Sequence, residues 1–92
     1  MIRRAARVDA IQPECVDIWR RAGKIWVDTS RQGDGCPDGW LFHWTWLPIE
    51  FKTGKAKLKP KQKILHEAVT AKGGKIFVIR STDEALALIG AK

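Results

Sequence analysis

The chain has 92 residues and a mass of 10.4 kDa, enough for one small domain spanning 1–92 and too little for a two-domain enzyme. Hydrophobic residues make up 45% and charged residues 29%, which excludes a disordered chain, and no apolar stretch approaches the roughly 18 residues needed to span a bilayer. Seventeen Lys and Arg against ten Asp and Glu leave a net charge of +7 and a pI near 9.9, so the expected partner is a polyanion, with nucleic acid first.

The basic start, Met1-Ile2-Arg3-Arg4, is followed by Asp9, Gln12 and Glu14, where a signal peptide needs an apolar stretch of about 7 to 15 residues. Ile11, Cys15, Ile18, Trp19 and Ala22 recur at helical spacing and predict a first helix from about Ile11 to the Gly23 stop, with Pro13 in its first turn. Lys24 to Thr29 alternates as a half-buried strand, and Ser30 to Gly39, with its glycines and Pro-Asp-Gly turn, reads as a loop. Gly39 to Phe42 and Trp46 to Lys52 form a predicted hairpin around His43, Trp44 and Thr45. From Pro60, the residues Ile64, Leu65, Ala68 and Val69 mark a second amphipathic helix that ends at Gly73-Gly74. Lys75 to Arg80 contains a four-residue apolar run expected in a strand buried on both faces. Ser81 with Glu84 is a capping box for a last helix, Thr82 to Ile89. The order α-β-β-β-α-β-α predicts a mixed β-sheet flanked by helices, an α/β fold.

Cys15 falls on the core side of the first helix and Cys36 in the glycine-rich loop, and neither belongs to a CxxC or CxxH pair; both are expected to be reduced, as in a cytoplasmic protein. Of the five tryptophans, Trp19, Trp26 and Trp40 are expected in the core. Trp44 and Trp46 at the hairpin tip are candidates for an interface or for stacking on DNA bases. That much aromatic surface on so short a chain is a reason to expect self-association. Because Trp40 and Phe42 alternate with Leu41, one face of the hairpin turns inward and the other is available to a second subunit.

The residue types that carry chemistry are concentrated around one strand. Side chains alternate along a strand, so Glu50 and Lys52 share one face while Phe51 enters the opposite layer. Pairing within the hairpin brings Asp38, at the start of the preceding strand, towards Glu50. Two acids that converge in a basic protein repel each other unless a cation lies between them. Magnesium accepts one or two carboxylates and keeps several waters, which leaves it able to bind a phosphate oxygen. Lys52 beside it is placed to position an attacking water and to offset charge on the transition state. The segment from Phe51 to His66 carries Lys52, Lys55, Lys57, Lys59, Lys61 and Lys63 and no acid, which marks a phosphate-binding surface or a solvated loop. Taken singly, Asp38 is also an ordinary turn residue, and Glu50 with Lys52 an ordinary ion pair on a sheet face.

Gly35-Cys36-Pro37-Asp38, Ile49-Glu50-Phe51-Lys52, Gln62, and then Gly73-Gly74-Lys75-Ile76-Phe77-Val78-Ile79 together resemble the VRR-NUC family of the PD-(D/E)xK nuclease superfamily, over about Asp9 to Ile89. The resemblance implies a restriction-endonuclease-like fold and Mg²⁺- or Mn²⁺-dependent hydrolysis of DNA phosphodiester bonds. Asp38 and Glu50 would then ligate the metal together with the Phe51 carbonyl, Lys52 would orient or activate the water, and Gln62 would complete the site. Asp9 resembles the acidic residue that such nucleases carry at the first helix; it is equally a helix cap, with Glu14 as the fallback acid. Small stand-alone members are similar to virus-encoded nucleases, often homodimers acting on branched DNA such as four-way junctions, which would put this chain in a host cytoplasm. A non-catalytic DNA- or RNA-binding module is the competing expectation, and an accessory subunit the least supported one.

Overall fold

A computed structural model describes residues 10 to 90. Seven elements follow the expected order: α1 (Gln12–Arg21), β1 (Ile25–Asp28), β2 (Gly39–His43), β3 (Thr45–Phe51), α2 (Pro60–Ala71), β4 (Phe77–Ile79) and α3 (Thr82–Leu88). The strands form one mixed sheet in the order β1-β2-β3-β4, antiparallel up to β3 and parallel between β3 and β4. A parallel neighbour requires a crossover, and α2 supplies it.

Register sorts the side chains onto two faces. Trp26 pairs with Leu41, Leu41 with Leu47, Gly39 with Ile49, and Phe51 with Ile79, so these point to one side, where α1 and α3 cover them. The core is Cys15, Val16 and Trp19 of α1, Ala85 of α3, and Trp26, Leu41, Ile49, Phe51 and Ile79 of the sheet. Trp19 and Trp26 meet with ring centroids 5.6 Å apart, and each packs on Phe51 at 5.8 and 5.7 Å respectively. Offset aromatic contacts at such distances contribute about 0.5–1.5 kcal/mol each beyond the area they bury. The indole N–H of Trp19 donates to the Ala85 carbonyl at 2.9 Å, which satisfies its one polar atom and joins α1 to α3. Gly39 has a steric reason: a Cβ there would sit 2.2 Å from the Trp26 ring.

Several sequence expectations are corrected. The buried side of α1 runs through Gln12, Cys15, Val16 and Trp19, while Ala22 is exposed; the helix is rotated because Gln12 turns in to donate to Asp28 Oδ2 at the end of β1, at 2.8 Å. Trp40 is not core. It is 36% exposed on the outer sheet face, because Leu41 takes the inward position. The hairpin reverses at Trp44 alone, with His43 paired to Thr45 and Trp44 at φ 66°. In α2 no residue is fully buried, and Ile64 is 67% exposed, because Gln62, Leu65, His66 and Val69 form its half-buried side. β4 is short, with Phe77 and Val78 half-buried and only Ile79 fully buried within it. The Ser81 cap holds, its Oγ accepting from Glu84 N–H at 3.1 Å, while the Glu84 carboxylate reaches one residue further back, to Arg80 N–H at 2.6 Å. Neither cysteine is in a disulfide; Cys15 is buried and Cys36 half-buried. Among the described residues no helix is long and apolar enough to cross a membrane.

Candidate active site

The site is built where β3 ends. Ile49 and Phe51 are drawn into the core, so alternation directs Glu50 to the opposite face, beneath α2. Glu50 is 2% exposed and Lys52 8% exposed, with Lys52 Nζ 4.0 Å from Glu50 Oε2. Burying such a pair costs several kcal/mol per ion unless further polar contacts compensate, so it gives little stability in itself and is a reason to look for function. The Lys52 position is held by its backbone N–H, which donates to the Ile79 carbonyl at 3.1 Å and extends the β3–β4 pairing by one residue.

Gln62 is the helical contribution. Its Nε2 donates to Glu50 Oε2 at 3.0 Å, while its Oε1 accepts from Lys59 N–H at 2.9 Å. Pro60 at the first helical position has no N–H to satisfy. One side chain therefore closes the start of α2 and fixes the orientation of the buried carboxylate.

Asp38 arrives from the loop before β2. Thr29 holds this segment: its N–H donates to the Asp38 carbonyl at 2.8 Å and its hydroxyl to the Pro37 carbonyl at 2.6 Å. Gly39 opposes Ile49 in the ladder, so one step further along the same register Asp38 stands opposite Glu50. Directly opposed residues of an antiparallel pair have Cβ atoms about 4.5–5.5 Å apart. Asp38 Oδ2 accepts from Phe51 N–H at 2.7 Å, which anchors the acid to the strand between Glu50 and Lys52. The loop is seated on α2 through Gly35, at φ 82°, where a Cβ would lie 2.7 Å from the Lys61 carbonyl oxygen.

Asp38, Glu50, Phe51, Lys52 and Gln62 are thus gathered at one end of the sheet. Among the described residues no group of three or more His, Cys, Asp or Glu is gathered; the oxygen donors brought together here are the carboxylates of Asp38 and Glu50. That donor set suits magnesium, which binds through one or two carboxylates and retains water, and does not suit zinc. Asp9 lies outside the described residues. Glu14 is exposed on α1.

Lys55, Lys57, Lys59, Lys61 and Lys63 are all exposed. Lys61 differs from the others in having a partner, Asp34 Oδ1 at 2.8 Å; this contact holds the Asp34 carboxyl below its ordinary range and the Lys61 ammonium above its own. Two further residues belong to the neighbourhood and were not singled out from the sequence. Arg80 Nη1 donates to the Gly54 and Ala56 carbonyls at 3.0 and 2.7 Å, tying down the start of the lysine-rich loop. His66 follows Gln62 by one helical turn; burial, and then the nearby Lys52 ammonium, hold its pKa below the ordinary 6.5. The four-residue spacing from Gln62 was the available signal for His66, whereas nothing local marks Arg80.

The order of elements and the acid, lysine and glutamine at the sheet end define a mixed α/β domain with a buried polar site on the face opposite its core. No family model, curated protein or solved structure matches the chain.

Proposed function

We propose that the chain is a Mg²⁺- or Mn²⁺-dependent endodeoxyribonuclease of the VRR-NUC type, with a restriction-endonuclease-like fold, acting on structured DNA such as a four-way junction. The observation that carries this reading is the pinning of Glu50 between Gln62 Nε2 at 3.0 Å and Lys52 at 4.0 Å, with Asp38 anchored beside it on Phe51 N–H. A solvated ion pair on a sheet face has no need of either glutamine or aspartate, and a module that only binds phosphate has no use for two buried or half-buried acids.

Asp38, Glu50 and the Phe51 carbonyl are the groups that would hold the metal. When bound, it supplies Lewis-acid activation of the phosphate and a water of lowered pKa. The Lys52 ammonium orients the attacking water by hydrogen bonding and offsets negative charge on the phosphate oxygens as the bond to the leaving oxygen breaks. Gln62 acts through Glu50 by holding its carboxylate in one rotamer. Lys55, Lys57, Lys59 and Lys63 neutralise phosphates of the bound strand, and Lys61 joins them on releasing Asp34.

The test is incubation of the purified protein with a supercoiled plasmid, a four-way junction and a plain duplex, each with Mg²⁺, Mn²⁺ or chelator. Metal-dependent cleavage that disappears in Glu50→Gln supports the reading. Retained DNA binding without cleavage under any metal would transfer the lysines to a non-catalytic DNA- or RNA-binding module.

A further inference from the structure

Trp44 forms the reversal between β2 and β3 and is 84% exposed, the most open large apolar side chain among the described residues. Its backbone is left-handed, at φ 66°. Asp34 is the other non-glycine residue with a positive φ among the described residues, and Asp is a type that tolerates it. For a bulky aromatic residue the Cβ crowds the backbone there, and Gly or Asn would relieve the strain. Neither burial nor backbone preference accounts for a tryptophan at this position, and strain kept at an exposed tip is a reason to look for function.

We infer that Trp44 stacks on an unpaired base of DNA while Lys24 takes a phosphate of the same strand. The inference rests on the DNA reading above and adds to it a second contact, at the opposite end of β3 from the candidate active site.

Charge is the first argument. Lys24 Nζ lies 5.5 Å from the centroid of the Trp44 ring, so an ammonium and an open π face are presented together, the combination that holds single strands. β1 and β4 both start at this end of the sheet, β1 through Ile25 opposite Phe42 and β4 by running parallel to β3. The residues that lead into them, 20–24 and 72–76, carry Arg20, Arg21, Lys24, Lys72 and Lys75 and no acid. Arg21 is shared with Asp17 at 2.8 Å. The tip is thus set in a cationic surface separate from the lysines of 52–63, and a polyanion is the complementary partner.

The surroundings of the ring decide between a base and a lipid. His43 and Thr45 on either side of Trp44 are polar, so the tip itself offers one indole, the area that one base covers. Inserting that ring into a bilayer would carry the Lys24 ammonium towards hydrocarbon and strip it of water, whereas a nucleotide brings a phosphate to meet it.

Spacing is the third argument. Trp44 precedes Glu50 by six residues, about 20 Å along an extended strand, which matches the rise of about six base pairs. One DNA segment can reach both places, with paired DNA at the lysine-rich loop and an unpaired base at the tip.

Binding in chelator tests this without any need for cleavage: fluorescence anisotropy with a fully paired duplex and with the same duplex carrying a single-stranded tail. The wild type should prefer the tailed duplex. Trp44→Ala should weaken tailed-duplex binding by about 5- to 100-fold and leave the paired duplex unchanged, with Trp44→Phe in between. Lys24→Ala should weaken tailed-duplex binding and reduce its salt slope by about one contact. Trp44→Gly suits the left-handed tip, so it should raise the melting temperature while losing the preference, and it decides the matter if Trp44→Ala fails to fold. Equal binding of the two DNAs by the wild type, or a preference that survives both Trp44→Ala and Trp44→Gly, overturns the inference. Metal-dependent plasmid cleavage that persists in that case leaves the nuclease reading standing, while a tail preference without cleavage under any metal removes the nuclease reading and keeps the tip contact. Tryptophan emission that shifts to the blue with phosphatidylglycerol vesicles and not with tailed DNA would give the tip to a lipid surface instead, and so also overturns the inference.

Discussion

Glu50 is the residue on which the site turns, because it is almost fully buried while carrying a carboxylate, with Gln62 and Lys52 as named partners. Glu50→Gln keeps the shape and removes the charge; cleavage should fall by at least about a hundredfold while DNA binding in chelator is retained. Its stability to urea should fall, since the Lys52 ammonium, 8% exposed, is left buried without its counter-charge. Lys52→Ala should lose cleavage on the same scale. Full activity in either variant removes the catalytic assignment. Gly39→Ala is the contrasting case, in which packing and not chemistry is at stake: its Cβ would fall 2.2 Å from the Trp26 ring. A loss of about 1–3 kcal/mol in denaturant unfolding is expected, as for other overpacked positions. His66 sets a pH dependence. Its folded pKa lies below the ordinary 6.5 because of burial and then Lys52, so between those two values the unfolded chain binds a proton that the folded one does not. Stability should therefore fall as pH drops below about 6.5 and level off beneath the folded pKa. His43 is lowered too, by burial and then Lys24, so His66→Gln should flatten only part of the slope in melts taken across that range.

At the scale of elements, the link between β3 and β4 joins the strand end that carries the candidate site, a lysine-rich loop and α2. Arg80 fastens the loop by its Gly54 and Ala56 contacts, so the lysines are presented from an anchored segment. Log Kd for DNA should vary linearly with log salt, at about 0.9 per phosphate contact, and Lys55→Ala with Lys57→Ala should flatten the slope by roughly two contacts. Lys61→Ala should matter less, because this lysine already has Asp34 as a partner at 2.8 Å and must give up that exposed pair to bind a phosphate. Equal effects of Lys61 and Lys55 in titrations at several salt concentrations would contradict the role drawn from this pairing.

For the molecule as a whole, the sheet separates two kinds of work. One face is closed by α1 and α3 around the Trp19–Trp26–Phe51 cluster and supplies cohesion. The other carries the polar site under α2 and the bare aromatic surface beside it. A metal that binds only the folded chain stabilises it by mass action, so melts in chelator and in millimolar Mg²⁺ or Mn²⁺ should differ by an increment that grows with metal concentration. Asp38→Asn should remove most of that increment and leave the metal-free melt unchanged or higher, since one of two opposed acids is neutralised. An absent increment, both alone and with a non-cleavable DNA, would favour the binding module.

What the sequence determined by itself was local and periodic. Alternation along Ile49-Glu50-Phe51-Lys52 assigned faces, Gly23, Gly73 and Gly90 marked helix ends, and Ser81 marked a cap, because backbone geometry acts over a few residues whatever surrounds them. The approach of Asp38 to Glu50 and Lys52 was also legible, from hairpin pairing and strand alternation, whereas Gln62 was expected there only from the family resemblance. Tertiary structure alone decided the rest. Which side of α1 is buried depended on Gln12 finding Asp28, and Ile64 was left in solvent because α2 meets the sheet along another line. Trp40 reads as core by hydrophobicity, yet Leu41 took the inward place. Arg80 reaches carbonyls 26 and 24 residues away in sequence. Each of these is a competition between surfaces distant along the chain, and composition and spacing contain no information about which competitor is near.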